Sequence, residues 1–416
     1  MRHLLALILA ACLLLSAGAA EDFEEMTLEE GDVLPEEAQD SLYVQRAFAP
    51  SCFSPYTVNR SAGDYWSCPM DITDVDAVWR MLQTPSTVLD TGEKNAQRIQ
   101  VVLRAEPNSK STGVGVVTCI SQGVRVLEPG AEWTKIECYS SSFHDSRVKA
   151  WNSLVQGWVP TAYLKKVTPD PHIGYVADKL TQRLYVFVDG ELYDTLLIST
   201  GLANADQPYN ETRSGEFFLQ VPAMGGFYSG NLFCAYGLRF NSGDAMHQVP
   251  YVETADGFED FSTTEYRLGT RASHGCIRVQ RRQTPKGTNM KWVWDHKANN
   301  IKFVIWEDWQ GRQILPPSDD TVLYYNPNGG SLYHTAETCY SAREGITFSP
   351  FTYGQLEEEG FRRLKRCTYC TPPLRLSEIA EINEKYLPGA DHDPVMTRAL
   401  KKKGLIRPDL AVFEQD

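Results

Sequence analysis

The chain has 416 residues, 42% of them hydrophobic and 22% charged. That is the balance of an ordinary folded protein of several domains, and it excludes global disorder. The net charge of −13 argues against nucleic acid or an anionic membrane surface as the main partner.

Met1-Arg2-His3 is a short basic start, Leu4 to Leu15 is a continuous apolar run, and Ser16 to Ala20 supplies small residues before Glu21. This layout predicts a cleavable secretory signal over residues 1–20, cut near Ala19 or Ala20. The apolar run is too short to span a bilayer comfortably, and no later segment is apolar enough to do so. The mature protein is therefore expected outside the cytoplasm and not membrane-embedded. Nine cysteines remain beyond Cys12. An odd number in a secreted chain leaves at least one thiol free or paired between chains.

Residues 21–95 read as an acidic leader followed by a small extension. Within it Val75, Val78, Trp79 and Leu82 recur at helical spacing, and Thr73 and Asp76 are placed as a capping box. Cys52 and Cys68 flank this piece and could staple it. From 96 to 168 the pattern becomes short strands between turns: Ile99–Leu103, Val114–Ile120, Val124–Leu127, Trp133–Tyr139 and Gln156–Pro160. Such spacing predicts a small antiparallel barrel. Cys119 and Cys138 lie on strands of that barrel, where cross-strand neighbours can reach disulfide geometry. Thr168 to Pro171 is a linker.

A new unit spans 172–310. Tyr175–Ala177, Leu184–Val188 and Leu192–Ser199 read as strands, with Asp189-Gly190 as a hairpin turn; Phe217–Val221 and Ile301–Trp306 are further strands. Residues 320–375 form a compact piece holding His334, Cys339, Cys367 and Cys370. A tail over 376–416 opens with an amphipathic helix carrying Leu376, Ile379, Ile382 and Tyr386 on one face.

The chemistry concentrates in Ser273-His274-Gly275-Cys276-Ile277-Arg278. A thiol near a histidine can act as a nucleophile, because an imidazolium partner lowers its pKa. Gly275 permits a positive φ or a close backbone approach, and successive N–H groups at such a turn can stabilise an oxyanion. Arg278 is placed to bind a substrate carboxylate. A buried, inert cysteine is the bland reading, but the string gathers several special residue types in six positions.

These residues resemble the signature of the L,D-transpeptidase (YkuD-like) catalytic domain. The resemblance extends upstream to Ser199-Thr200-Gly201 and to Thr212-Arg213-Ser214-Gly215-Glu216-Phe217, and covers about a third of the chain. Likewise Leu103 to Pro107, Gly123 to Leu127, Trp133 and Gly157-Trp158-Val159 resemble bacterial SH3-like domains. The architecture expected is mainly β: an SH3-like barrel, a β-rich L,D-transpeptidase domain, and a small C-terminal Cys/His α+β module.

The family resemblance implies Cys276 as nucleophile and a tetrapeptide stem of peptidoglycan as donor, with release of terminal D-alanine. Ser273, Gly275 and Arg278 would contact the substrate, and His274 would help form the oxyanion site. The family's proline in the second loop is Arg213 here. Its general-base histidine lies closer to the cysteine than His247 does, at twenty-nine positions upstream. An insertion within Val252 to Arg267 would reconcile the spacing and leave His247 as the base. No cofactor is expected for catalysis. His334, Cys339, Cys367 and Cys370 make a sensible tetrahedral zinc set, with a disulfide plus one spare thiol as the competing reading.

Overall fold

The computed structural model describes residues 72–385, apart from 96–97, 152–153, 205, 221–222, 285, 307–312, 338, 340–344, 368–369 and 371. It also describes Phe53–Ser54, Arg398 and Lys402. The secretory signal, Cys52, Cys68 and Tyr386 lie outside the described residues. No helix among them is long and apolar enough to cross a membrane.

The fold is mainly β, as expected. Its largest element is an eleven-stranded sheet built from residues 173–306. In the middle, Ile173–Asp178, Arg183–Val188 and Glu191–Ser199 run antiparallel. The turn between the last two places Asp189 at φ +48° and Gly190 at φ +94°, which is what a two-residue hairpin of this hand requires. On one side the sheet continues through Lys302–Trp306, parallel to Ile173–Asp178, to Gly215–Phe218. On the other it continues through Ile277–Val279, Ala245–Gln248 and Leu232–Arg239. Tyr175, Ala177, Leu184, Val186, Ile198, Phe217, Ile277 and Phe303 fill one core with the short helix Met290–Asp295.

The opposite face of this sheet is covered by the N-terminal extension. The helix Val75–Gln83 lays Val78, Met81 and Leu82 on Val176, Tyr185, Phe187, Val304 and Trp306. Lys302 is fully buried, and its ammonium donates to Met81 O and Thr84 O, each at 2.9 Å. It also pairs with Glu216 at 3.1 Å. The helix begins one residue later than the capping box implied. Asp74 is the cap, its carboxylate accepting from Ala77 N–H at 3.0 Å, because only the residue just outside the first turn can reach that amide. Asp74→Ala should cost about 1 kcal/mol, read from denaturant unfolding of the intact chain.

Residues 100–160 form a five-stranded antiparallel sheet whose strands sit close to their expected positions. A strand pair, Ser86–Leu89 with Leu164–Val167, flanks it. Leu89, Leu103, Val117, Ile136 and Val159 are its core. Cys119 and Cys138 are part of that core as free thiols, not a disulfide. Burial pushes the Cys119 thiol up to about 12 and raises that of Cys138 further. They pack as small apolar side chains, which is what a buried thiol does best.

The C-terminal piece is a four-stranded sheet, ordered Ser349–Thr352, Val322–Tyr325, Leu332–His334 and Lys365–Arg366. The helix Leu376–Lys385 follows. Its apolar face is narrower than expected: Ile379 is buried, but Leu376 is 47% exposed.

Candidate active site

Three loops separated by many residues converge at the end of the central strands. The Ser199-Thr200-Gly201 turn pairs with the catalytic string, as Ala272 and Ser273 N–H both donate to Thr200 O and Leu202 N–H donates to Ser273 O. The second loop joins through one hydroxyl. Thr212 Oγ1 accepts from Gly201 N–H at 2.7 Å and donates to Gly275 O at 2.8 Å. Gly275 sits at φ +126°, and a Cβ there would lie 2.4 Å from an Asp244 carboxylate oxygen. Only glycine serves at that position.

Ser273 is buried and spends its hydroxyl inside the turn, accepting from Gly275 N–H and donating to Cys276 O. His274 is exposed, and partial desolvation followed by the nearby Arg278 lowers its pKa.

The strand Ala245–Gln248 runs parallel to Ile277–Val279 and sets His247 opposite Arg278. Alternation along the chain then carries Cys276, two residues before Arg278, toward the same side. The His247 ring is buried, and its Nδ1 donates to Gln248 O at 2.6 Å. That bond fixes the tautomer and leaves Nε2 as the lone-pair nitrogen. Burial depresses the imidazole to about 4, helped by Arg278. Cys276 is partly exposed at the residue level, yet its thiol is pushed up to about 12 by desolvation and then by Asp244, against a hydrogen bond from Ala245 N–H. Burial thus favours the neutral forms of both groups over the thiolate–imidazolium pair that the string alone suggested.

Residues 252–267, where an insertion was expected, carry regular structure. Tyr251–Glu253 and Glu259–Asp260 pair as a hairpin that extends the sheet beyond Leu232–Arg239, and Glu265–Arg267 closes it as a helical turn. Glu265 is anchored by Arg281 and Arg282, each at 3.1 Å. Arg278, half-buried beside the thiol, has no carboxylate partner among the described residues. Burial lowers its pKa, and the nearby Arg267 adds to that.

Sequence reasoning gave no role to the pair beneath the turn. Arg213, standing where the resembling family has proline, is fully buried and meets Asp244 at 3.1 Å. It also donates to Glu211 O and Ser142 O, and stacks on the Phe143 ring at 4.2 Å. Asp244 in turn accepts from Asn241 at 2.9 Å. The departure at position 213 was the one visible signal. A charged residue replacing a proline needs a buried partner, and Asp244 was the nearest acid to the His247 strand.

The other predicted cluster also assembles. His334, Cys339, Cys367 and Cys370 are all buried, with their ligand atoms within 4.8 Å of one another.

A thiol, an imidazole with its Nδ1 engaged and a guanidinium with no carboxylate partner among the described residues are thus carried on adjoining strands of one β sheet. The model of the L,D-transpeptidase catalytic domain, YkuD, matches residues 174–305, and this part of the chain is a YkuD domain. Among solved structures the chain is similar to an L,D-transpeptidase from Stackebrandtia nassauensis, at 18% identity over 33% of this chain and 56% of that one, with a TM-score of 0.22. It is also similar to one from Mycobacterium smegmatis, at 17% identity over 54% and 92% with a TM-score of 0.26. A third is the catalytic domain of the E. faecium L,D-transpeptidase, at 15% identity over 33% and 98% with a TM-score of 0.22. The chain thus spans little more than half of the Stackebrandtia protein. No curated protein matches it.

Proposed function

We propose that the protein is a secreted peptidoglycan L,D-transpeptidase that works through a thioester on Cys276, in cell-wall cross-linking or remodelling. The observation that carries this reading is the arrangement around Cys276. The YkuD-like motifs meet at one turn, His247 stands on the strand beside Arg278 with its Nδ1 engaged by Gln248 O, and Arg278 has no carboxylate partner among the described residues.

In the proposed reaction the thiol passes its proton toward His247 Nε2 as sulfur attacks the carbonyl at the L-to-D bond of a tetrapeptide stem. Backbone N–H groups of the Gly275 turn, with His274, hold the developing oxyanion. The C–N bond breaks, the leaving D-alanine amine takes the proton, and a thioester remains. An amine on a neighbouring stem then attacks that carbonyl, and the thiol is regenerated. Water as acceptor would make the enzyme an L,D-carboxypeptidase. Arg278, with Arg267 behind it, suits an anionic stem, since both stem and free termini carry carboxylates. The strands of residues 100–160 are read as the SH3-like companion domain.

The test is mass spectrometry of muropeptides after incubation with purified enzyme. Cross-linked dimers, or tetrapeptides shortened to tripeptides, support the reading. Unchanged stems, together with no carbapenem adduct on Cys276, would leave a wall-binding protein that has lost catalysis. In the same assay Arg278→Ala should lose about 1.5–3 kcal/mol of substrate interaction, the range for hydrogen bonds to charged groups. That corresponds to a fall in kcat/KM of about tenfold to a hundredfold. Stems with amidated carboxyls should show a smaller ratio between the two enzymes.

A further inference from the structure

We propose that His334, Cys339, Cys367 and Cys370 bind one zinc ion that closes the C-terminal module. The topology brings these residues together. Leu332–His334 and Lys365–Arg366 run parallel, with Leu332 opposite Lys365 and Tyr333 opposite Arg366. The next position along the ladder is His334 beside Cys367, and Cys367 N–H donates to Tyr333 O at 3.1 Å. Cys370 lies at the same end, where Thr335 Oγ1 donates to Cys370 O at 3.2 Å. Cys339 closes the fourth side.

The spacings are those of a coordination shell. Cys339 Sγ and Cys367 Sγ are 3.9 Å apart, and Cys370 Sγ lies 3.5 Å from His334 Nδ1. Zinc–sulfur bonds of about 2.3 Å and zinc–nitrogen bonds of about 2.0–2.1 Å at tetrahedral angles give edges of about 3.8 Å and 3.6 Å. A disulfide would need its sulfurs about 2.05 Å apart, against the 3.9 Å between Cys339 and Cys367. The His334 ring is stacked on Phe348 at 4.5 Å, which holds the imidazole plane in place.

The donor set is soft, so it suits zinc and not calcium or magnesium, which take oxygen. Four protein ligands leave no open position for water, and the role is structural. Three thiolates and a divalent ion leave one net negative charge. The Arg366 guanidinium, next to Cys367 in sequence and donating to Pro372 O at 2.6 Å, stands beside it. The module also needs such a staple. Its core rests on Leu323, Tyr333, Phe351, Tyr353, Leu356 and Leu364, too few to stabilise a separate piece of this size.

Elemental analysis of the full chain, purified without chelator, should find about one zinc per molecule. Blocking the thiols with a mercurial should release that zinc in step with three cysteines. Cobalt exchanged into the site should show thiolate charge-transfer bands and tetrahedral d–d bands. Cys370→Ser should lower zinc retention at least tenfold, whereas Cys276→Ala should retain one zinc, which separates this site from the catalytic thiol. If Cys370→Ser fails to fold, the mercurial titration of the unaltered chain still decides. Absence of zinc with all three thiols freely alkylated, or a disulfide among them in unreduced peptide maps, would overturn the proposal.

Discussion

Under the proposed mechanism Cys276→Ala should abolish acyl-enzyme formation and leave the fold intact, because it removes the proposed nucleophile and little packing. Mass spectrometry should show no covalent adduct with a carbapenem, and far-ultraviolet circular dichroism should be unchanged. His247→Gln should keep the thiol but lose the proton acceptor, lowering kcat by about 10²–10⁴-fold. The acid side of the pH profile should reveal the same group. With the imidazole held near pH 4 in the folded protein, the wild-type rate should persist well below pH 6. Stability should move with it. Between about pH 6.5 and 4 the unfolded chain binds a proton that the folded chain refuses, so folding weakens as pH falls through that window, by at most about 3 kcal/mol. His247→Gln should flatten that part of the curve. A variant with near-normal turnover would pass the base role to His274.

Arg213→Ala should be the most destabilising single change near the site. It leaves the Asp244 carboxylate buried and unpaired, at a cost of about 3–5 kcal/mol. It also loosens the Gly275 turn, so kcat should fall even where the protein remains folded. Arg213→Ala combined with Asp244→Asn should recover part of the lost stability, because no uncompensated charge remains. Denaturant unfolding of the single and double variants measures the coupling directly. A double variant no more stable than Arg213→Ala would mean that the contacts of Arg213 with Ser142 and Phe143, not the ion pair, dominate.

The parts of this site visible in the sequence are those where side-chain type alone carries chemistry. Cys276, its glycine, and His247 could be picked out because few residues can serve as nucleophile, turn and base. The Asp189-Gly190 hairpin was equally plain, since its backbone demands those residues. What stayed hidden depends on long-range packing. The Arg213–Asp244 pair joins positions thirty-one apart, and each residue alone reads as a surface charge. Thr212 looked like part of a motif, but its bridging of two turns is a three-dimensional fact. The strands Met224–Ser229 and Leu232–Arg239 escaped notice because Gly225, Gly226 and Gly237 dilute their alternation, and Tyr236 breaks it at φ +58°. The Cys119–Cys138 disulfide failed for a related reason. Shared strand character does not place two thiols face to face, and only register decides that.

The helix Val75–Gln83 separates two meanings of the word domain. By family pattern the catalytic unit starts near His172, but by physics it does not end there. Beneath the helix lie Tyr185, Phe187, Val304 and Trp306, all fully buried, and the Lys302 ammonium depends on carbonyls from residues 81 and 84. A chain begun at His172 would present that apolar face to water, and the Lys302 ammonium would keep Glu216 but lose both of its carbonyl partners. The unit that can stand in water is therefore longer than the unit that can be recognised.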